Sequence, residues 1–168
     1  GYLNENKARS RAGGHFFMSE NTQHPPNNGA IHNVAEIIKA VMSSAAEAEL
    51  GALYINARKA VEIRNILHEL GHPQPPTPIH CDNTTAVGIV HSSIKRQRSR
   101  AMNMRYFWLL CQETQRILDI RYHPGLENLG DYQTKLFVGG HHKRVRPFYV
   151  HTDRSLKLLP CVAQPSVC

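Results

Sequence analysis

Three acidic residues stand where a hydrolytic metal centre would need them. Glu49 falls in the second turn of a segment with helical periodicity, Asp82 ends an apolar run, and Asp131 lies near the start of a last short helical segment. Strand ends in α/β sheets are where ligands usually bind. A hard divalent cation such as Mg²⁺ takes oxygen ligands at fixed positions, which carboxylates from separate elements supply. Two such ions about 4 Å apart activate a water and stabilise the leaving oxygen of a phosphodiester. Each acid also has a plainer reading. Glu49 fits a solvated helix face, Asp82-Asn83 a turn or cap, and Asp131 a favourable place on a helix dipole. Spacing alone does not separate the two kinds of reading.

The elements that must position these acids are legible in outline. His15 to Ser19 reads as a short strand, after a polar and basic segment ending at Gly13-Gly14. Pro25-Pro26-Asn27-Asn28-Gly29 is a turn, and Ala30 to about Lys39 reads as the returning strand of a hairpin. Ala46, Leu50, Leu53, Ala57, Ala60, Ile63, Leu67 and Leu70 recur at steps of three and four, which predicts an amphipathic helix over 44–70. Ser44 and Glu47 fit a capping box. Glu49 lies about 200° from Glu47 around the helix and has no part in it. Gly71 and Pro73 end the helix. A strand over Pro78 to Cys81, a short helix over Thr84 to His91 and a longer one over Ser99 to Gln115 follow, the last carrying Ala101, Met104, Trp108 and Cys111 on one face. Leu118, Ile120 and Tyr122 alternate as in a strand, and Asn128 to Lys135 forms a last helix. Beyond Gly139-Gly140 the chain is basic and without clear periodicity. This order predicts an α/β layered domain over 1–138, with the 44–70 helix as the crossover of a parallel pair, and a basic extension over 139–168.

Lys and Arg number 20 against 13 Asp and Glu, a formal charge of +7. A polyanionic partner would suit that surplus, because neutralised phosphates release counterions, but a basic protein with no such partner fits equally. The run Lys95-Arg96-Gln97-Arg98-Ser99-Arg100 is the densest positive patch. Cys81, Cys111, Cys161 and Cys168 include no C-x-x-C pair, which favours mostly buried, reduced thiols and an intracellular setting. His141-His142 has no companion ligand pair and reads as surface or phosphate-facing. No apolar run reaches the ~20 residues that span a bilayer, so no membrane partner is expected. Gly1 opens the chain, which predicts a piece of something longer or a processed product.

Taken together the segments resemble the ribonuclease H region of copia-type retrotransposon polyproteins. Ser43-Ser44-Ala45-Ala46-Glu47-Ala48-Glu49-Leu50 is similar to that family's S-S-x-x-E-A-E signature. Ile79-His80-Cys81-Asp82-Asn83 resembles its strand-terminal D-N, and the segment from His123-Pro124-Gly125 to Asp131-Tyr132-Gln133-Thr134-Lys135 its closing motif. The ordered set spans roughly Tyr2 to His151. The resemblance implies a ribonuclease H-like fold, with a mixed five-stranded sheet flanked by helices. It also implies two Mg²⁺ ions, with Mn²⁺ as a substitute, hydrolysing the RNA strand of an RNA:DNA hybrid.

By the same resemblance Glu49, Asp82 and Asp131 are metal ligands, and His123 assists protonation or product release or is a surface histidine. Asn83 caps the short helix or positions the substrate backbone, while Lys95, Arg96, Arg98 and Arg100 hold phosphates or form solvated surface. Expected partners are the hybrid and the reverse transcriptase and integrase portions of one polyprotein, in cytoplasmic virus-like particles and the nucleus. The family's first metal acid sits in a D-A-x-Y-L segment whose end matches Gly1-Tyr2-Leu3. Its aspartate would fall before Gly1, which predicts a truncated first strand, weak metal binding and impaired cleavage. A relic that only binds nucleic acid or tethers neighbouring domains is the alternative. An integrase- or resolvase-type nuclease of the same fold is a third reading, less favoured by Asp131 and His123.

Overall fold

Small residues at alternate positions let the segment Ser10–Phe17 (β1) pack closely, with Ser10, Ala12 and Gly14 buried. The computed structural model describes residues 8–20, 22, 26–27, 29–92, 100–125 and 128–150, with the side chains of 100–102 outside that description. β1 pairs antiparallel with Ala30–Ile38 (β2), Ser10 opposite Ile38 and Gly14 opposite Val34. The strand therefore starts five residues before His15, and Gly13-Gly14 lies inside it rather than ending the segment before it. Glycine in a strand interior often marks a close approach of other backbone, and that is its use here.

The long helix Ala45–Glu69 (α1) begins where its caps place it. Ser44 is the N-cap and its Oγ accepts the Glu47 N–H at 3.1 Å. Glu47 Oε2 accepts the Ser43 N–H at 2.7 Å and the Ser43 hydroxyl at 2.6 Å, one residue before the cap. Gly71, at φ +84°, ends the helix in a Schellman motif: the His72 N–H donates to Leu67 O and the Gly71 N–H to His68 O. The apolar stripe is buried from Ala48 to Ala60, while Leu70 is exposed. Because the Glu47 carboxylate is buried and carries these bonds, Glu47→Ala is expected to cost about 1–2 kcal/mol. Thermal melting should fall by roughly 2–6 °C, and an unchanged melt would show that the Ser43 contacts carry no weight.

Thr77–Cys81 (β3) pairs in parallel with Leu118–Tyr122 (β4), Ile79 opposite Ile120. The crossover between them is made by Thr84–Val90 (α2) and Arg100–Thr114 (α3), not by the 44–70 helix, which joins β2 to β3, strands of two different described sheets. Leu50 and Leu53 of α1, Val87 and Val90 of α2, Leu109 of α3 and Ile120 of β4 form the main core. α3 turns Tyr106 and Leu109 inward; of the predicted face Trp108 packs partly buried against the core, Met104 and Cys111 are exposed, and the Ala101 side chain lies outside the described residues. Hydrophobicity alone misassigned that face, since every turn of α3 carries an apolar residue.

The last acid rides on a 3-10 helix, Leu129–Gln133, shorter and tighter than the helix expected from Asn128 to Lys135. Asn128 caps it, its side chain accepting the Gly130 N–H at 2.9 Å. Gly139–Tyr149 forms a further helix (α4) that periodicity did not reveal, because none of its side chains is fully buried. The fold is mixed α/β, but among the described residues the strands make two two-stranded sheets, β1-β2 and β3-β4, rather than one five-stranded sheet. A groove of about 260 Å³ lies between β1 and β3, lined by Phe16, Phe17, Ile63, Leu67, Pro78 and Ile79.

Candidate metal-binding site

Glu49, Asp82 and Asp131 arrive at one place from three elements. α1 packs on β1 and presents Glu49 from its second turn. Asp82 follows the last residue of β3, and a small cleft there is lined by Glu49, Asp82, Gly13, Asn56, His80 and Asn128. Asp131 is brought in by the 3-10 helix, which lies against β1. Two glycines make the convergence possible. A Cβ on Gly13 would stand 2.6 Å from Thr134 Cγ2 and in contact with Gly130 O. One on Gly125 would stand 3.0 Å from Asp82 Oδ2. Neither glycine has positive φ, so close approach is the reason for each.

The carboxylates repel one another. Burial first, then the charge of Asp82 and that of Asp131, holds the Glu49 carboxyl above its ordinary value. Burial also raises Asp131, with Asp82 adding to the rise; the Lys135 ammonium, 2.6 Å from Asp131 Oδ2, opposes it. Lys135 follows Asp131 at i,i+4, a spacing that pairs opposite charges, yet the sequence reading gave it no role. Its ammonium pairs with Asp131. All the donors are hard oxygens carrying negative charge that neighbouring groups only partly offset, which fits a divalent ion. Among the described residues no three His, Cys, Asp or Glu side chains come close enough to form a ready metal cage. The acids are thus within electrostatic reach of each other without being drawn in to ligating distance.

The neighbouring groups are less suited to chemistry. Burial, with Glu49 and Asp82 adding to it, pushes the Cys81 thiol up to about 12, so it stays protonated. His123 donates its backbone N–H to Cys81 O at 3.0 Å, and its ring stacks on His80 at 5.0 Å. Since His80 lines the cleft, His123 sits one ring removed from it. Asn83 is a helix cap, its side-chain oxygen accepting the Ala86 N–H at 2.9 Å. Lys95, Arg96 and Arg98 lie outside the described residues; Arg100 opens α3, and its side chain also lies outside them. Asn56, two turns beyond Glu49 on α1, donates to Gly13 O at 2.7 Å and ties α1 to β1. Helical spacing i,i+7 from Glu49 is the signal that would have found it.

No family model matches the chain, and no solved structure matches it. Over 113 residues, 66% of the chain, it is 27% identical to the Retrovirus-related Pol polyprotein from transposon TNT 1-94 of Nicotiana tabacum. The chain spans 8% of that polyprotein's length. This similarity supports a retrotransposon Pol origin for the chain.

Proposed function

We propose that this chain is a ribonuclease H-like domain of a retrotransposon Pol polyprotein that hydrolyses the RNA strand of RNA:DNA hybrids. The observation that carries the reading is the approach of Asp131, on a 3-10 helix packed against β1, to the cleft that Glu49 and Asp82 line, close enough that burial and neighbouring carboxylates raise the proton affinity of Glu49 and of Asp131. Glu49, Asp82 and Asp131 would hold Mg²⁺, or Mn²⁺ in its place. When bound, the ions supply an activated water and charge stabilisation at the leaving oxygen. The chain's own residues do the rest. The three carboxylates would hold the cation, and Lys135 pairs with Asp131 in its place. In this reading His123, one ring behind His80, would move a proton at the cleft's edge through or past that ring. The hybrid and the reverse transcriptase and integrase portions of the polyprotein are the partners in this proposal, within cytoplasmic particles and the nucleus.

A second reading is a relic that binds nucleic acid without cutting it. It is favoured by the lack, among the described residues, of any three-ligand group at metal distance. The two separate on one experiment with end-labelled substrates, run with Mg²⁺ and with EDTA. The nuclease reading expects Mg²⁺-dependent cutting of the RNA strand in a hybrid and none in duplex DNA, and a roughly 10²-fold loss in His123→Ala. Hybrid left intact by a chain that still binds it would leave only the relic.

A further inference from the structure

α4 carries His141, His142, Lys143, Arg144 and Arg146 and no acidic residue. At 100° per residue, Lys143, Arg144 and Arg146 fall within one arc of about 160°, and all three are exposed. The opposite side is docked. Tyr149 stacks on Tyr132 at 4.6 Å and donates its hydroxyl to Leu129 O. His142 Nδ1 meets the Tyr132 hydroxyl at 3.0 Å. His15 of β1 packs edge-on to Tyr149 at 5.1 Å, and Asn27 donates to Phe148 O at 2.9 Å. The helix is therefore fixed to the 3-10 helix that bears Asp131 and to the β1-β2 hairpin, with its cations turned outward. Burial, followed by the Asp131 carboxylate, holds the Tyr149 phenol above its usual value, so the docked face lies within electrostatic range of the acids.

We infer that α4 is a phosphate-binding rail that holds the backbone of an RNA:DNA hybrid as it enters the acidic cleft. The acids repel phosphates, so a polyanionic substrate needs compensating cations beside them, and α4 carries three on the outer face of a helix docked on the 3-10 helix that bears Asp131. Exposed Lys and Arg bind phosphates by displacing condensed counterions, which makes their contribution steeply dependent on salt. The inference rests on the nuclease reading for the identity of the duplex, not for the existence of the basic face.

The test is equilibrium binding of a short fluorescein-labelled hybrid, read by anisotropy in EDTA over a salt series, so that no cleavage occurs. The chain is compared with a variant carrying Lys143→Gln, Arg144→Gln and Arg146→Gln, and with a control carrying Lys39→Gln, Arg58→Gln and Lys59→Gln. No residue of α4 is buried, so the first variant keeps its fold, and Arg144→Glu alone serves should its melting temperature drop. Three phosphate contacts contribute about 0.9 × 3 ≈ 2.7 to the salt slope. Between about 50 and 200 mM salt the unaltered chain should therefore lose roughly 40-fold more affinity than the α4 variant. The control should keep the steep slope. Equal slopes for chain and α4 variant, equal losses in both variants, or no binding by the unaltered chain would overturn the inference. Failure of the nuclease reading shows separately, as absence of Mg²⁺-dependent cutting by a chain that still binds.

Discussion

Asp82→Asn is expected to slow Mg²⁺-dependent cleavage sharply and, in the same protein, to raise the melting temperature of the metal-free fold. Both effects come from one charge. Asp82 raises the proton affinity of Glu49 and of Asp131, in each case after the larger contribution of burial. A carboxylate whose folded-state pKa lies above its unfolded value binds more protons in the native state than in the unfolded chain. Stability then falls as pH rises from the ordinary values, 4.5 for Glu49 and 3.8 for Asp131, through the raised ones. Removing the Asp82 charge lessens that loss. Near neutral pH the metal-free variant should melt about 2–4 °C higher, the shift that ~1 kcal/mol gives a domain of this size. Its stability should also depend less on pH across the acidic range. Mg²⁺ should raise the melting temperature of the unaltered chain by mass action and leave the variant unmoved. Cleavage should fall by roughly 10²–10³-fold, as when one preorganised electrostatic stabiliser is removed. A variant that melts lower than its parent, with Mg²⁺ without effect on either, would refute the view of the acids as a strained cation site.

The same balance explains what the sequence could and could not disclose. Local signals with a strong physical cause were readable: the Ser44 cap and the Gly71 stop frame α1 as expected, and Asn83 caps α2. Position within the fold was less so. Gly13-Gly14 looked like a break because glycine punctuates chains, whereas in β1 those glycines admit the 3-10 helix and Asn56. α4 escaped notice because it docks through half-buried tyrosine and histidine rings rather than an aliphatic stripe. A parallel pair was foreseen with the 44–70 helix as its crossover; the parallel pair among the described strands is β3 with β4, crossed by α2 and α3, since periodicity tells nothing about which strands neighbour each other. The expected five-stranded sheet was inferred from resemblance. The described strands instead make two pairs with an apolar groove between them, and Gly1-Tyr2-Leu3, where the resemblance puts the end of the first strand, lies outside the described residues.

Gly13→Ala is the second change expected to have a large effect, and it reaches the acids without altering any of them. The added methyl would overlap Gly130 O and stand 2.6 Å from Thr134 Cγ2 and 3.3 Å from Gln133 Cβ. Thr134 can rotate or yield, but a backbone carbonyl moves only if its segment moves. That segment is the 3-10 helix carrying Asp131, so relief of the clash drives this acid away from Glu49 and Asp82. Overpacking of this kind costs about 1–3 kcal/mol, or roughly 3–10 °C in melting temperature. Displacement of Asp131 should also shrink the Mg²⁺-induced rise in melting temperature and slow cleavage. Adding Thr134→Ser removes Cγ2 but not the Gly130 carbonyl, so the double variant should regain stability only in part and cation binding hardly at all. Gly140→Ala is the matched control, because a Cβ there meets nothing within 4 Å. It should leave melting, Mg²⁺ response and cleavage unchanged. If Gly13→Ala behaved like that control, β1 and the 3-10 helix would not be in contact. The convergence of the three acids would then lose its structural basis.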